Sequence, residues 1–272
     1  MTAIDDLFRQ LKAANKKAFM PFVSAGDPNL EFTVQVLTRL AELGCSMAEI
    51  GIPYSDPIAD GPVIQASYTR ALRNRIKLPD IFRSVADWKT SPRSLTTNMP
   101  LVSMVSYAIV HRHGIEHYVA EAKASGFSGA IVPDLLVEES DALSQACQKN
   151  DFNLIQLVTP TTPLERALRI AERSSGFLYF VSVTGITGER SQLPPDLVDR
   201  VGALRERSSL PICIGFGISK PEHVRLLAPV CDGLIVGSAI VRSLEQGCTD
   251  PTKALDSMSE LVRSLTLAIE EA

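Results

Sequence analysis

The chain has 272 residues, 45% hydrophobic and 21% charged, with 31 acidic against 27 basic side chains for a formal charge of −4. The near-balanced charge, with no long run of Lys or Arg, excludes the electrostatic footprint of nucleic-acid or anionic-membrane binding. A folded chain of this size buries roughly three quarters of its extended surface, so one large core, and a single domain over residues 1–272, is expected.

In chain order, Asp5 and Asp6 precede Leu7, Phe8 and Leu11 at helical spacing. Thr2 to Asn15 therefore reads as an amphipathic helix and not as a targeting signal. Short β-branched or apolar runs then follow at Ala18–Ser24, Met47–Gly51, Leu101–Val105, Gly129–Val132, Asn153–Val158, Phe177–Val181, Pro211–Ile214 and Gly233–Val236. Most lack apolar/polar alternation, as strands buried on both faces do. Between them lie amphipathic stretches that include Leu30–Leu43, Pro62–Leu72, Ile115–Ser125, Glu138–Asn150, Pro163–Arg173, Pro194–Arg207 and Pro221–Leu227. Several open on Pro, where a missing N–H costs least.

Eight strand–helix units in 272 residues give about 34 each, a size suited to a right-handed crossover between parallel strands. The pattern predicts a single (β/α)8 barrel, of the α/β class, with an extra N-terminal helix. An open doubly wound sheet competes, but no Gly-x-Gly-x-x-Gly fingerprint opens the first βα turn. The uncharged stretch from Ser94 to His111 carries Ser94, Thr96, Thr97, Asn98, Pro100 and Ser103, too polar for a membrane span. Cys45, Cys147, Cys213, Cys231 and Cys248 are odd in number and widely spaced, which suggests neither a disulfide framework nor a zinc site. A reducing cytoplasm is expected, and no metal.

In a barrel of this kind, chemistry sits at the carboxyl ends of the strands. After the second strand, the 26 residues from Gly44 to Thr69 contain Glu49, Asp56 and Asp60 but no Lys or Arg. Glu49 lies inside an apolar strand, where burial would raise its pKa toward the range useful for proton transfer. The Pro- and Gly-rich loop Pro53–Pro62 returns Asp60 toward the strand end, and two carboxylates in different environments can divide acid and base roles. A purely structural reading competes, with Glu49 ion-paired in the core and Asp60 capping the helix near Pro62. Asp56 reads as a turn residue or a surface contact.

Small residues recur after the last three strands: Thr184-Gly185-Ile186-Thr187-Gly188, Gly215-Phe216-Gly217-Ile218-Ser219 and Gly237-Ser238. Phosphate commonly binds at this end of a barrel, where Gly lets backbone N–H groups approach an anion. The expected substrate is small and elongated, with a phosphate at one end and a proton-transferring centre at the other.

The run from Glu49 to Pro62, together with Pro21-Phe22-Val23, Gly26-Asp27-Pro28, Pro133-Asp134-Leu135, Gly185–Gly188, Gly215–Ile218 and Gly237–Val241, resembles the tryptophan synthase α-subunit family in order and over nearly the whole chain. The resemblance implies a cofactor-independent retro-aldol cleavage of indole-3-glycerol phosphate to indole and glyceraldehyde 3-phosphate. It also implies an α2β2 complex with a pyridoxal-phosphate β subunit. Carried over by position, Glu49 is the general acid/base, Asp60 holds the indole N–H, and Tyr179 assists Glu49. Gly188, Gly217, Gly237 and Ser238 are phosphate ligands, Phe22, Thr187 and Phe216 line the pocket, and Pro53 and Asp56 meet the partner. Two other roles compete: a non-catalytic activating subunit, and another phosphosugar lyase on the same barrel.

The chain departs from that family at Ser106-Tyr107-Ala108-Ile109, where many members carry a Tyr-x-Asn-Pro-like run. Beyond it, His113 and His117 are expected to share a helix face; a metal pair competes there, but a solvated helix start is favoured because no third ligand accompanies them.

Overall fold

The structure is a computed structural model that describes residues 2–57, 60–92, 98–181, 197–215 and 217–272. Its strands are β1 Ala18–Ser24, β2 Ala48–Gly51, β3 Leu101–Met104, β4 Phe127–Ile131, β5 Asn153–Ile155, β6 Leu157–Val158, β7 Leu178–Val181, β8 Ile212–Gly215 and β9 Gly233–Val236. Every recorded pairing is parallel, in the order β5-β4-β3-β2-β1-β9-β8-β7-β6. Only Gln156 separates β5 from β6, so the two ends of that order meet and the sheet forms a nearly closed barrel. An open doubly wound sheet is thereby excluded.

The expected single strand Asn153–Val158 is thus two segments. Its first half pairs with β4 and its second with β7, and Gln156 marks the change of partner. The expected helix at Glu138–Asn150 also divides, into a 3₁₀ turn over Val137–Glu139 and an α-helix over Asp141–Lys149.

Two apolar layers hold the barrel. The outer layer packs strand residues such as Ala48, Ile50, Leu178 and Leu234 against helix residues such as Val36, Leu40, Val201 and Val262. The inner layer fills the lumen with Met20, Phe22, Val102, Ile131, Tyr179 and Ile235, which explains why the strands read as continuous apolar runs. Helix α1, Ala3–Ala13, is capped by Thr2, whose hydroxyl accepts from the Asp5 N–H while the Asp5 carboxylate accepts from the Thr2 N–H. Ile4 and Phe8 of α1 join the inner layer at the amino-terminal ends of the strands. The ring of Phe8 lies 5.7 Å from that of Phe177, so α1 covers the barrel floor.

Later helices are α2 Leu30–Glu42, α3 Pro62–Arg73, α4 Leu78–Lys89, α5 Tyr107–His113, α6 Ile115–Ala124, α7 Asp141–Lys149, α8 Leu164–Arg173, α9 Leu197–Arg207, α10 Pro221–Leu227, α11 Ser238–Ser243 and α12 Pro251–Glu270. The short α11 sits where barrels place an extra helix after the last strand. Among the described residues no helix is long and apolar enough to cross a membrane.

Candidate active site

Glu49 is central to β2, in register with Phe22 of β1 and Val102 of β3. It is 3% exposed, and its Oε1 has no hydrogen-bond partner. Burial, reinforced by the charge of Asp60, pushes its pKa up to about 8, and among the described residues no positive charge offsets either effect. Among the described residues no cation pairs with Glu49, which argues against the ion-paired core reading, since a structural carboxylate would carry a cation or a full set of donors. A buried carboxylic acid that stays neutral near pH 7 is chemically able to donate a proton.

The loop from β2 to α3 brings Asp60 toward the same space. Its backbone is held by a hydrogen bond from the Asp60 N–H to the Pro57 carbonyl (3.1 Å), and by Gln65 Nε2, which donates to the Asp60 carbonyl at 2.7 Å. Helix α3 is capped by Gly61 without a side-chain hydrogen bond, so Asp60 does not serve as its cap. Burial raises the Asp60 pKa to about 6, and a hydrogen bond from the Tyr54 hydroxyl pulls it back. The pair is thus split, with Glu49 protonated and Asp60 ionised between those values.

Tyr179, on β7, is 3% exposed, and burial followed by the charge of Glu49 raises its phenol well above the ordinary value. Its hydroxyl lies 2.3 Å from where a Gly215 Cβ would be, so only glycine fits at that point of β8. Gly51 has the same role on β2: an added Cβ would meet Phe22 Cζ at 2.4 Å and the Tyr68 hydroxyl at 2.5 Å. Phe22 Cβ in turn lies 3.7 Å from a Cβ built on Gly237, so the Phe22 side chain reaches from the start of α11 to Gly51 on the strand that carries Glu49.

At the phosphate end, Gly217 has φ of 76°, a left-handed conformation that favours glycine, and Gly237 precedes α11 with Ser238 as its first residue. Pro53 is buried, whereas Asp56 is exposed and accepts a hydrogen bond from the Ser55 hydroxyl at 2.6 Å. Thr187, Gly188 and Phe216 lie outside the described residues.

Sequence reasoning missed Tyr54 and Tyr68. Their rings pack 5.9 Å apart beside Asp60, and only the flanking motif hinted at them. It also missed how the atypical segment after β3 is held. The Ser106 hydroxyl caps α5 and donates to Asp134 Oδ2 at 2.7 Å, while the Tyr107 N–H donates to Asp134 Oδ1 at 2.8 Å.

The expectation for the histidines needs correction. His113 ends α5, Gly114 turns the chain with φ of 90°, and His117 belongs to α6, so they do not share one helix. Glu121 supplies a third group, 2.7 Å from His113 and 3.2 Å from His117.

Residues 8–270 match the family model for the tryptophan synthase alpha chain. A tryptophan synthase alpha chain from Rhodopirellula baltica is 53% identical over 285 residues, covering 100% of both chains. The crystal structure of tryptophan synthase subunit alpha from Legionella pneumophila superposes with a TM-score of 0.89 at 33% identity over 100% of both chains. A chain from a Mycobacterium tuberculosis tryptophan synthase structure gives 0.87 at 29% identity, covering 98% of each. Fold and likeness define a carbon–carbon lyase built on a (β/α)8 barrel. The chain belongs to the tryptophan synthase alpha chain family, whose reaction cleaves indole-3-glycerol phosphate to indole and glyceraldehyde 3-phosphate.

Proposed function

We propose that Glu49, Asp60 and Tyr179 carry this cleavage, and that the buried, protonated Glu49, whose Oε1 has no partner, is the group on which it turns. Glu49 donates its proton to indole C3, which leaves the ring as an iminium cation. Ionised Asp60 holds the indole N–H while that positive charge develops. The Glu49 carboxylate then takes the proton of the glycerol hydroxyl. As the C–C bond breaks, its electron pair returns to the ring, the hydroxyl carbon becomes the aldehyde, and Glu49 is again protonated. Tyr179 limits the space around Glu49 and orients it. The split between the two carboxylates supports this division, because one must give a proton where the other must stay charged.

Gly217, Gly237 and Ser238, with Gly188, bind the phosphate through backbone donors, aided by the positive φ at Gly217. Phe22 forms one wall of the indole pocket, with Thr187 and Phe216 completing it. The chain itself needs no cofactor. Its partner is a tryptophan synthase β subunit that carries pyridoxal phosphate, in an α2β2 complex, with Pro53 and Asp56 at the contact. A reducing cytoplasm suits its free thiols.

The test is steady-state indole release from indole-3-glycerol phosphate, measured on the chain alone and with a β subunit. Glu49→Gln should lower turnover by about 10²-fold or more while leaving glycerol phosphate affinity intact. Turnover above about a tenth of the original would remove Glu49 from the role.

A further inference from the structure

The junction of α5 and α6 brings together three ligating side chains that the cleavage does not use. His113 Nε2 lies 2.7 Å from Glu121 Oε2, and His117 Nε2 lies 3.2 Å from Glu121 Oε1. One ligand atom from each of the three can be chosen so that all lie within 4.8 Å of one another. The two imidazoles are stacked, with centroids 4.8 Å apart and planes inclined by 22°. His117 and Glu121 are one helical turn apart on α6, whereas His113 reaches the group only because the chain turns at Gly114.

We propose that His113, His117 and Glu121 bind one divalent transition-metal cation of the zinc type, through two imidazole nitrogens and one carboxylate, with a remaining position open to water. The donor set argues for this class. Imidazole suits zinc, nickel and copper, while magnesium and calcium require oxygen ligands. Ligand atoms at about 2.0–2.2 Å from a tetrahedral ion lie roughly 3.3 Å from each other, a spacing the present nitrogen-to-oxygen contacts already approach.

Stacked rings cannot both hold an ion in their planes, so binding requires one ring to rotate. His117, 63% exposed, is free to do so. His113, 20% exposed, is held by Phe82 at 6.4 Å and 83° and by Tyr118 at 6.4 Å and 90°, and so acts as the fixed ligand. The ion cross-links the end of α5 to α6. The start of α5 is tied to Asp134 through Ser106 and Tyr107, so the whole short helix would be anchored at both ends.

The experiment titrates the purified, untagged chain with Zn²⁺ by calorimetry, and with Co²⁺ by visible absorption. One equivalent of Zn²⁺ should bind, and Co²⁺ should develop the d–d bands of a low-coordinate nitrogen and oxygen site. His117→Ala and Glu121→Gln should each weaken binding by about tenfold or more and abolish the Co²⁺ bands. Both side chains are solvent-accessible, and circular dichroism establishes that the variants are folded. His111→Ala is the control: its ring packs on Tyr107 at 5.9 Å, outside the group, and its loss should leave binding unchanged. Absence of a one-equivalent Zn²⁺ site would overturn the proposal, as would binding that survives the double variant His117→Ala, Glu121→Gln.

Discussion

Glu49 meets two opposed demands. Its burial destabilises the ionised form, yet that same burial keeps its carboxyl protonated near neutral pH, as the proposed proton transfer requires. Because its folded pKa, about 8, exceeds its ordinary value, stability is fully present below that ordinary value and falls as pH rises toward 8. Glu49→Gln should therefore be the more heat-stable protein, with a Tm advantage that widens from pH 5 to pH 8. Melting curves at those two values decide the matter, and an advantage that shrinks with pH would contradict the burial argument. Activity should follow a bell, its acid limb near 6 from Asp60 and its basic limb near 8 from Glu49. Tyr54→Phe removes a donor to the Asp60 carboxylate and should raise its pKa further. A hydrogen bond to a charged group is worth about 1.5–3 kcal/mol, so the acid limb should move to higher pH by on the order of one pH unit, with the basic limb unmoved. A kcat–pH profile of this variant checks the assignment.

Single loops carry the next level of function. Gly217 has a φ that L residues adopt only at a cost of roughly 1–2 kcal/mol, so Gly217→Ala and Gly217→Asp share a backbone penalty. Only the aspartate adds negative charge where a dianion would bind. Gly217→Asp should weaken glycerol phosphate binding well beyond Gly217→Ala in a titration, and equal losses would place the phosphate elsewhere. The β2–α3 loop divides differently, with buried Pro53, exposed Asp56 and half-buried Asp60 in succession. Pro53 and Pro57 restrict its conformations, so docking of a partner can order it at modest entropic cost. Asp56→Ala should keep the slow basal rate and lose much of the acceleration by a β subunit, which paired assays with and without that subunit would measure. Glu49→Gln should do the reverse and abolish both.

Closure of the barrel involves the whole molecule. Strand 153–158 meets both neighbours only by changing partner at Gln156, and α1 covers the floor beneath the lumen. Phe8 is 6% exposed against Phe177 and the other inner-layer residues. Phe8→Ala should cost about 3 kcal/mol, and denaturant unfolding should register that loss while KM for indole-3-glycerol phosphate is unchanged. A raised KM would mean that the floor transmits its packing to the catalytic mouth.

Much of this was determined locally, which is why the sequence could disclose it. Continuous apolar runs made the strands visible, because a strand covered on both faces needs no polar alternation. A lone carboxylate within such a run pointed to Glu49, because burying charge is costly wherever it occurs. Other features depend on distant partners. The split at Gln156 arises from pairing with β4 on one side and β7 on the other, and no property of residues 153–158 announces it. The bond from Tyr54 to Asp60 depends on how a Pro-rich loop folds back. The group of His113, His117 and Glu121 exists because Gly114 takes a positive φ and turns α5 into α6, where helical periodicity alone would have continued one helix. Sequence determined the barrel and the residue types at its mouth through burial and periodicity. Only the tertiary structure decided which polar groups meet, because those contacts are fixed by the packing of segments far apart in the chain.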